Sequence, residues 1–134
     1  MLPIGTSATA TTLVTGADLA EVLNQHADDA FPAVYATSRM IGLMELAAAR
    51  AMRAALSAGE LSVGVSLDVS HLAATPIGVE VTAEARYLGQ EGKLFVFELT
   101  ARDRGGDNGR GTHKRAIVTA DRLLGGAVRR TRVD

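Results

Sequence analysis

The chain has 134 residues, 47% of them hydrophobic and 22% charged, with a formal net charge of −1, as expected of one ordinary soluble domain that forms a core without a disulfide or metal staple. It contains no cysteine, which excludes thiol nucleophiles, thiolate zinc sites and a disulfide framework. The near-neutral balance argues against a nucleic-acid binder, no apolar run is long enough to span a bilayer, and residues 1–12 lack the basic and apolar segments of a secretory signal, so one cytoplasmic domain over residues 1–134 is expected.

Thr6 to Val14 alternates weakly, as a first strand would, and Asp18 is placed to cap a short helical turn running to Asn24. Residues 25–36 form a connection holding Asp28, Asp29 and Pro32, with Phe31 and Tyr35 as its aromatic residues. Thr37 to Leu56 has no proline, one glycine and many Ala, Leu and Met residues, then Ser57-Ala58-Gly59, which predicts a long helix and its stop. Beyond Gly59 the period changes from 3.6 to 2. Val63, Val65, Leu67 and Val69 alternate with Ser62, Gly64, Ser66 and Asp68, a strand with one apolar face. Pro76-Ile77-Gly78 turns the chain into a second alternating run, Val79 to Tyr87, and Gly89 to Gly92 turns it into a third, Lys93 to Arg102, with Phe95, Phe97, Leu99 and Ala101 on one face. The glycine-rich loop from Arg104 to Gly109 leads to a last strand from about Arg110 to Asp121, and the tail from about residue 122, with Arg129-Arg130-Thr131-Arg132, reads as peripheral and frayed. Short connections favour antiparallel neighbours. The predicted fold is therefore α+β, a meander-like antiparallel sheet with one alanine-rich helix packed on one face.

Three residues contradict their surroundings. At 100° per residue, Arg39, Arg50 and Arg53 mark a solvent face of the helix, and Glu45 lies roughly 120° from it. A carboxylate there is expected to be largely desolvated unless a partner holds its charge. His71 continues the odd-numbered apolar face of its strand and should point at the helix. A histidine so placed is often only a hydrogen-bonded core residue, but a carboxylate on the facing helix is what orients a catalytic imidazole. Thr37 stands at the helix start, where it serves as an N-cap or first-turn residue beside free N–H groups that suit an oxyanion. His113 and Arg115 share one side of the last strand, although the glycines around them leave its facing open. Glu45, His71 and His113 have no metal-ligand spacing, so no metal is expected.

The segments Phe31-Pro-Ala-Val-Tyr-Ala-Thr37-Ser-Arg-Met-Ile-Gly-Leu-Met-Glu45, Gly64-Val-Ser-Leu-Asp-Val-Ser-His71 and Gly111-Thr-His-Lys-Arg115-Ala-Ile-Val118 resemble the fluoroacetyl-CoA thioesterase family of hotdog-fold proteins, over roughly residues 20–120. The resemblance implies a homodimer, or a higher oligomer of dimers, that hydrolyses a short or small acyl-CoA without a metal or cofactor, coenzyme A being part of the substrate. It implies Thr37, Glu45 and His71 as the catalytic constellation, Gly64 and Arg115 as substrate contacts and Phe31 as the aromatic over the acyl pocket. Three residues before Phe31, where the specialised enzyme looks to carry a second Phe, this chain has Asp28, so fluoroacetyl-CoA is not the expected substrate.

In such a site His71 would act as general base and later acid, supported by Glu45, with Thr37 as nucleophile or as the group that positions a water. Arg115 and its basic neighbours could meet the acyl end or the CoA phosphates. A non-catalytic dimer that only binds acyl-CoA, and a hotdog dehydratase or ester hydrolase, use the same residues differently.

Overall fold

The computed structural model describes residues 1–132. Its strands are β1 (Ser7–Leu13), β2 (Glu60–His71), β3 (Glu80–Glu91), β4 (Leu94–Asp103) and β5 (Gly106–Thr119), with helices α1 (Thr37–Met52) and α2 (Ala120–Thr131). The strands form one antiparallel sheet in the order β1-β3-β4-β5-β2. The expected α+β architecture is present, a curled antiparallel sheet around one long helix.

Helix α1 buries Met40, Leu43, Met44, Ala47, Ala48, Ala51 and Met52, an i, i+3, i+4 stripe that a 3.6-residue period places on one face. Its alanines share the core with Ala10, Ala83, Ala85 and Ala101 of the sheet, and small side chains on both layers let the two approach closely. Three of the aromatic residues cluster in the sheet, where Tyr87 lies 5.7 Å and 5.6 Å from the ring centroids of Phe95 and Phe97, and the buried Tyr35 joins the core from the segment before α1.

Four expectations are corrected. β2 does not pair with β3: it joins the far side of β5, and residues 72–79 carry the chain across the sheet end. That connection is longer than a hairpin turn, and it is held by bonds from Leu72 N–H to Asn108 O and from Tyr35 N–H to Thr75 O, both 2.8 Å. Second, the pairing of β2 with β5 shifts between Gly64 and Ser66, so Val65 is the extra residue of a bulge. A bulge reverses which side chains face the helix: Ser62 and Gly64 lie opposite Ile117 and Arg115, whereas Leu67, Val69 and His71 lie opposite His113, Gly111 and Gly109. The odd-numbered side chains thus face the helix only beyond Val65, and before it Ser62 and Gly64 share the helix side with His71. Third, the tail is helical over Ala120–Thr131 and buries no residue. Asp121 in its first turn and Arg129 and Arg130 in its last complement the helix dipole. Finally, Asp18 ends a 3-10 turn over Gly16–Asp18, separate from a second over Ala20–Leu23, and its carboxylate accepts from Thr15 N–H at 2.8 Å.

Candidate active site

Two groups of polar side chains occupy the helix side of β2 and β5. The first lies at the start of α1. Ala36 holds the N-cap position with extended backbone and no side chain able to cap, so Thr37 is the first helical residue. Its hydroxyl lies 2.7 Å from Nδ1 of His71, the last residue of β2. His71 Nε2 is buried and, among the described residues, has no hydrogen-bond partner. The pair lines a cleft of about 420 Å3 with Phe31, Val34, Tyr35 and Leu72. Burial pushes the Tyr35 phenol up to about 12, with Asp18 adding to the rise, so it stays protonated. The Phe31 segment is fixed by its own side chains: Asn24 Oδ1 accepts from Phe31 N–H at 3.0 Å, and Asp29 Oδ2 accepts from Gln25 N–H at 2.8 Å and His26 N–H at 3.0 Å. Those two donors hold the Asp29 carboxyl below its usual range.

The second group is built on β5. Arg115 is 5% exposed and donates from Nε to Ser62 Oγ at 2.9 Å, from Nη2 to Ser62 O at 2.8 Å and from Nη1 to His113 Nε2 at 3.0 Å. An arginine only donates, so His113 Nε2 accepts and its Nδ1–H donates to Ser66 O at 2.8 Å. Burial pushes the His113 pKa below its ordinary value, against the Ser66 bond. Arg115 Nη1 also reaches Glu45 Oε2 at 3.4 Å. Gly64 allows this approach, because a Cβ there would collide with Glu45 Oε2 and lie 3.1 Å from His113 Cε1.

The structure thus joins Thr37, His71 and Phe31 at one cleft, and Glu45, Gly64 and Arg115 at another place. Glu45 is not largely desolvated: its side chain is 38% exposed, because β2 ends the sheet and Gly64, which lies against the carboxylate, has no side chain to cover it. Within the chain it meets Arg115 and not His71, since eight helical residues separate it from Thr37, a rise of about 12 Å. His113 and Arg115 face inward because they share one side of β5 with Gly109 and Gly111, which lie opposite His71 and Val69 of β2, a relation that requires the strand pairing. Ser62, Thr75 and Asn108 were not singled out by the sequence, having no unusual residue type or spacing. Among the described residues no three His, Asp or Glu side chains gather as metal ligands, and no helix is long and apolar enough to cross a membrane.

Residues 14–121 match the family described as fluoroacetyl-CoA-specific thioesterase. The chain is 42% identical over 93 residues to a fluoroacetyl-CoA thioesterase of Streptantibioticus cattleyicolor, covering 69% of this chain and 67% of that protein. Its structure is similar to that of a threonine-to-alanine mutant of the fluoroacetyl-CoA thioesterase FlK with fluoroacetate bound, at a TM-score of 0.90 and 32% identity over 97% of this chain and 99% of the other. A thioesterase-superfamily protein of Thermus thermophilus is similar at a TM-score of 0.85 and 26% identity, over 96% and 93% of the two chains.

Proposed function

The chain belongs to the fluoroacetyl-CoA-specific thioesterase family, and on that premise we propose that it hydrolyses a small acyl-CoA to the free acid and CoA as a homodimer whose sites are shared between subunits. The observation that carries this reading is the 2.7 Å bond between Thr37 and His71 in a cleft beside Phe31. If Thr37 Oγ1–H donates to Nδ1, a neutral imidazole carries its proton on Nε2, which then needs an acceptor. A carboxylate there would hold the tautomer and stabilise the imidazolium formed when His71 takes the Thr37 proton, or that of a water beside it.

The chain's own Glu45 is too far along α1 to serve. β2 is a twelve-residue edge strand with Val65 53% and Leu67 40% exposed, a surface suited to pairing with a second copy. Antiparallel pairing about a two-fold axis sets the His71 end of one β2 against the half of the other that contains Gly64. Glu45 of the partner subunit, exposed beside Gly64 and steadied by Arg115, would then face His71 Nε2. Thr37 and Ser38, at a helix start without a side-chain cap, have N–H groups available to a tetrahedral oxyanion. Arg115, buried and engaged on three sides, serves to steady Glu45 and the acyl end; the phosphates of CoA fall to exposed bases. The reading places the protein in the cytoplasm with its acyl-CoA substrate and requires no metal or cofactor. With exposed Asp28 in place of a second aromatic lid residue, selectivity for fluoroacetyl-CoA is not expected.

Thiol release from a panel of acyl-CoA esters, from acetyl upward, tests the proposal. Turnover of a short-chain ester that is lost in His71→Ala supports it. Saturable binding with no turnover, or unchanged turnover in His71→Ala, contradicts it.

A further inference from the structure

Behind the Thr37–His71 pair runs a buried polar chain with no part in the scheme above. Thr75 and Asn108 are both 0% exposed. Thr75 Oγ1–H donates to Asp103 Oδ2 at 2.6 Å, and Asn108 Nδ2–H donates to Thr75 Oγ1 at 2.8 Å. Asp103 Oδ1 accepts in turn from Gly105 N–H at 2.8 Å. The direction is determined by chemistry: Thr75 has one hydroxyl proton and the carboxylate takes it, so the amide must donate to the hydroxyl. The Asn108 amide oxygen is then left, among the described residues, without a partner.

This chain links three places far apart in sequence. Thr75 lies in the connection between β2 and β3, Asp103 ends β4, and Asn108 is the extra residue where the β4–β5 register shifts. Both central residues also hold the flanks of the proposed catalytic pair through their own backbones. Thr75 O accepts from Tyr35 N–H, two residues before Thr37, and Asn108 O accepts from Leu72 N–H, next to His71; both bonds are 2.8 Å. The side-chain bond between Thr75 and Asn108 therefore ties together the two backbone anchors from which Thr37 and His71 extend.

We infer that Thr75 and Asn108 are positioning residues: their hydrogen bond, oriented by Asp103, sets the separation of the α1 start from the β2 end and holds Thr37 Oγ1 at His71 Nδ1. An apolar pair of similar volume would fill this space without leaving the Asn108 oxygen unpartnered. What the polar pair adds is direction and distance. This inference rests on the proposed hydrolase reading, because it assigns the bond a role only if Thr37 and His71 act together.

The test is Thr75→Val, which keeps the volume and removes the hydroxyl, measured with Thr75→Ser as the conservative rescue. At a temperature where all forms are folded, Thr75→Val should lower kcat by about 100-fold, a cost that misplacing reacting groups by an ångström can reach, while KM changes less than threefold. Thr75→Ser should return most of the lost kcat. If Thr75→Val does not fold, Asn108→Ser, which shortens the donor and leaves the Thr75–Asp103 bond in place, carries the same expectation. A folded variant with kcat within twofold of the natural protein overturns the inference, as does a loss that Thr75→Ser fails to restore. Absence of turnover in the natural protein would remove the hydrolase reading as well; normal turnover with an unaffected Thr75→Val removes the positioning role alone.

Discussion

Gly64→Ala separates the fold from the catalytic arrangement. Gly64 does not have a positive φ, so alanine fits its backbone and by itself would stabilise the chain by about 0.4–1 kcal/mol. Its Cβ, however, would collide with Glu45 Oε2 and sit 3.1 Å from His113 Cε1. Overpacking of this kind costs about 1–3 kcal/mol, but Glu45 is the flexible end of a side chain 38% exposed and can swing outward. The net destabilisation should be about 1 kcal/mol, a fall in Tm of about 4 °C. Activity should respond differently, because clearing the Cβ moves the carboxylate by about 1 Å and such a displacement costs about 100-fold in kcat/KM. Thermal melts and steady-state hydrolysis of the best substrate of the panel read out the two effects. A variant with kcat/KM within threefold of the natural protein would refute the idea that Glu45 must lie against this glycine.

His113 provides a pH test. Burial holds its folded pKa below the ordinary 6.5, so the unfolded chain takes up this proton before the folded one does. The stability linked to His113 is complete above pH 6.5 and is lost progressively as pH falls below it. Tm should therefore drop between pH 7.5 and 5.5, and His113→Gln should show a shallower dependence; equal slopes would contradict the assignment. Arg115→Lys should be costly despite keeping the charge, since one ammonium cannot reproduce the bonds to Ser62 Oγ, Ser62 O and His113 Nε2. Leaving even one buried acceptor unpaired costs about 1–3 kcal/mol, and an unchanged Tm would show that the fork is not needed.

Those features that depend on local pattern were legible in the sequence. The α1 stripe, the alternation of β3 and β4 and the inward Ala and Phe residues follow from period alone. His71 stood out because a histidine on an apolar strand face contradicts its surroundings, and Thr37 because it stands at a helix start beside free N–H groups; the two lie within a hydrogen bond of each other. What escaped depends on strand pairing. The alternation from Val63 to Val69 is unbroken in sequence, yet the register against β5 makes Val65 a bulge and turns Gly64 inward. The β2–β3 connection read as a hairpin because Pro76-Ile77-Gly78 is a good turn, although it starts five residues after the strand ends. Glu45 was placed correctly on the wheel, but its exposure depends on β2 being the edge of the sheet, which a wheel does not contain. Thr75 and Asn108 are ordinary residues whose role depends on meeting across three segments.

The shared site is tested most directly by mixing two inactive variants. Thr37→Ala and Glu45→Gln should each abolish hydrolysis as purified proteins. When they are unfolded together and refolded in equal amounts, mixed dimers contain one site with both lesions and one with none, and about a quarter of the natural activity should return. If each chain holds a complete site of its own, every site in the mixture carries a lesion and no activity returns, which would contradict the account.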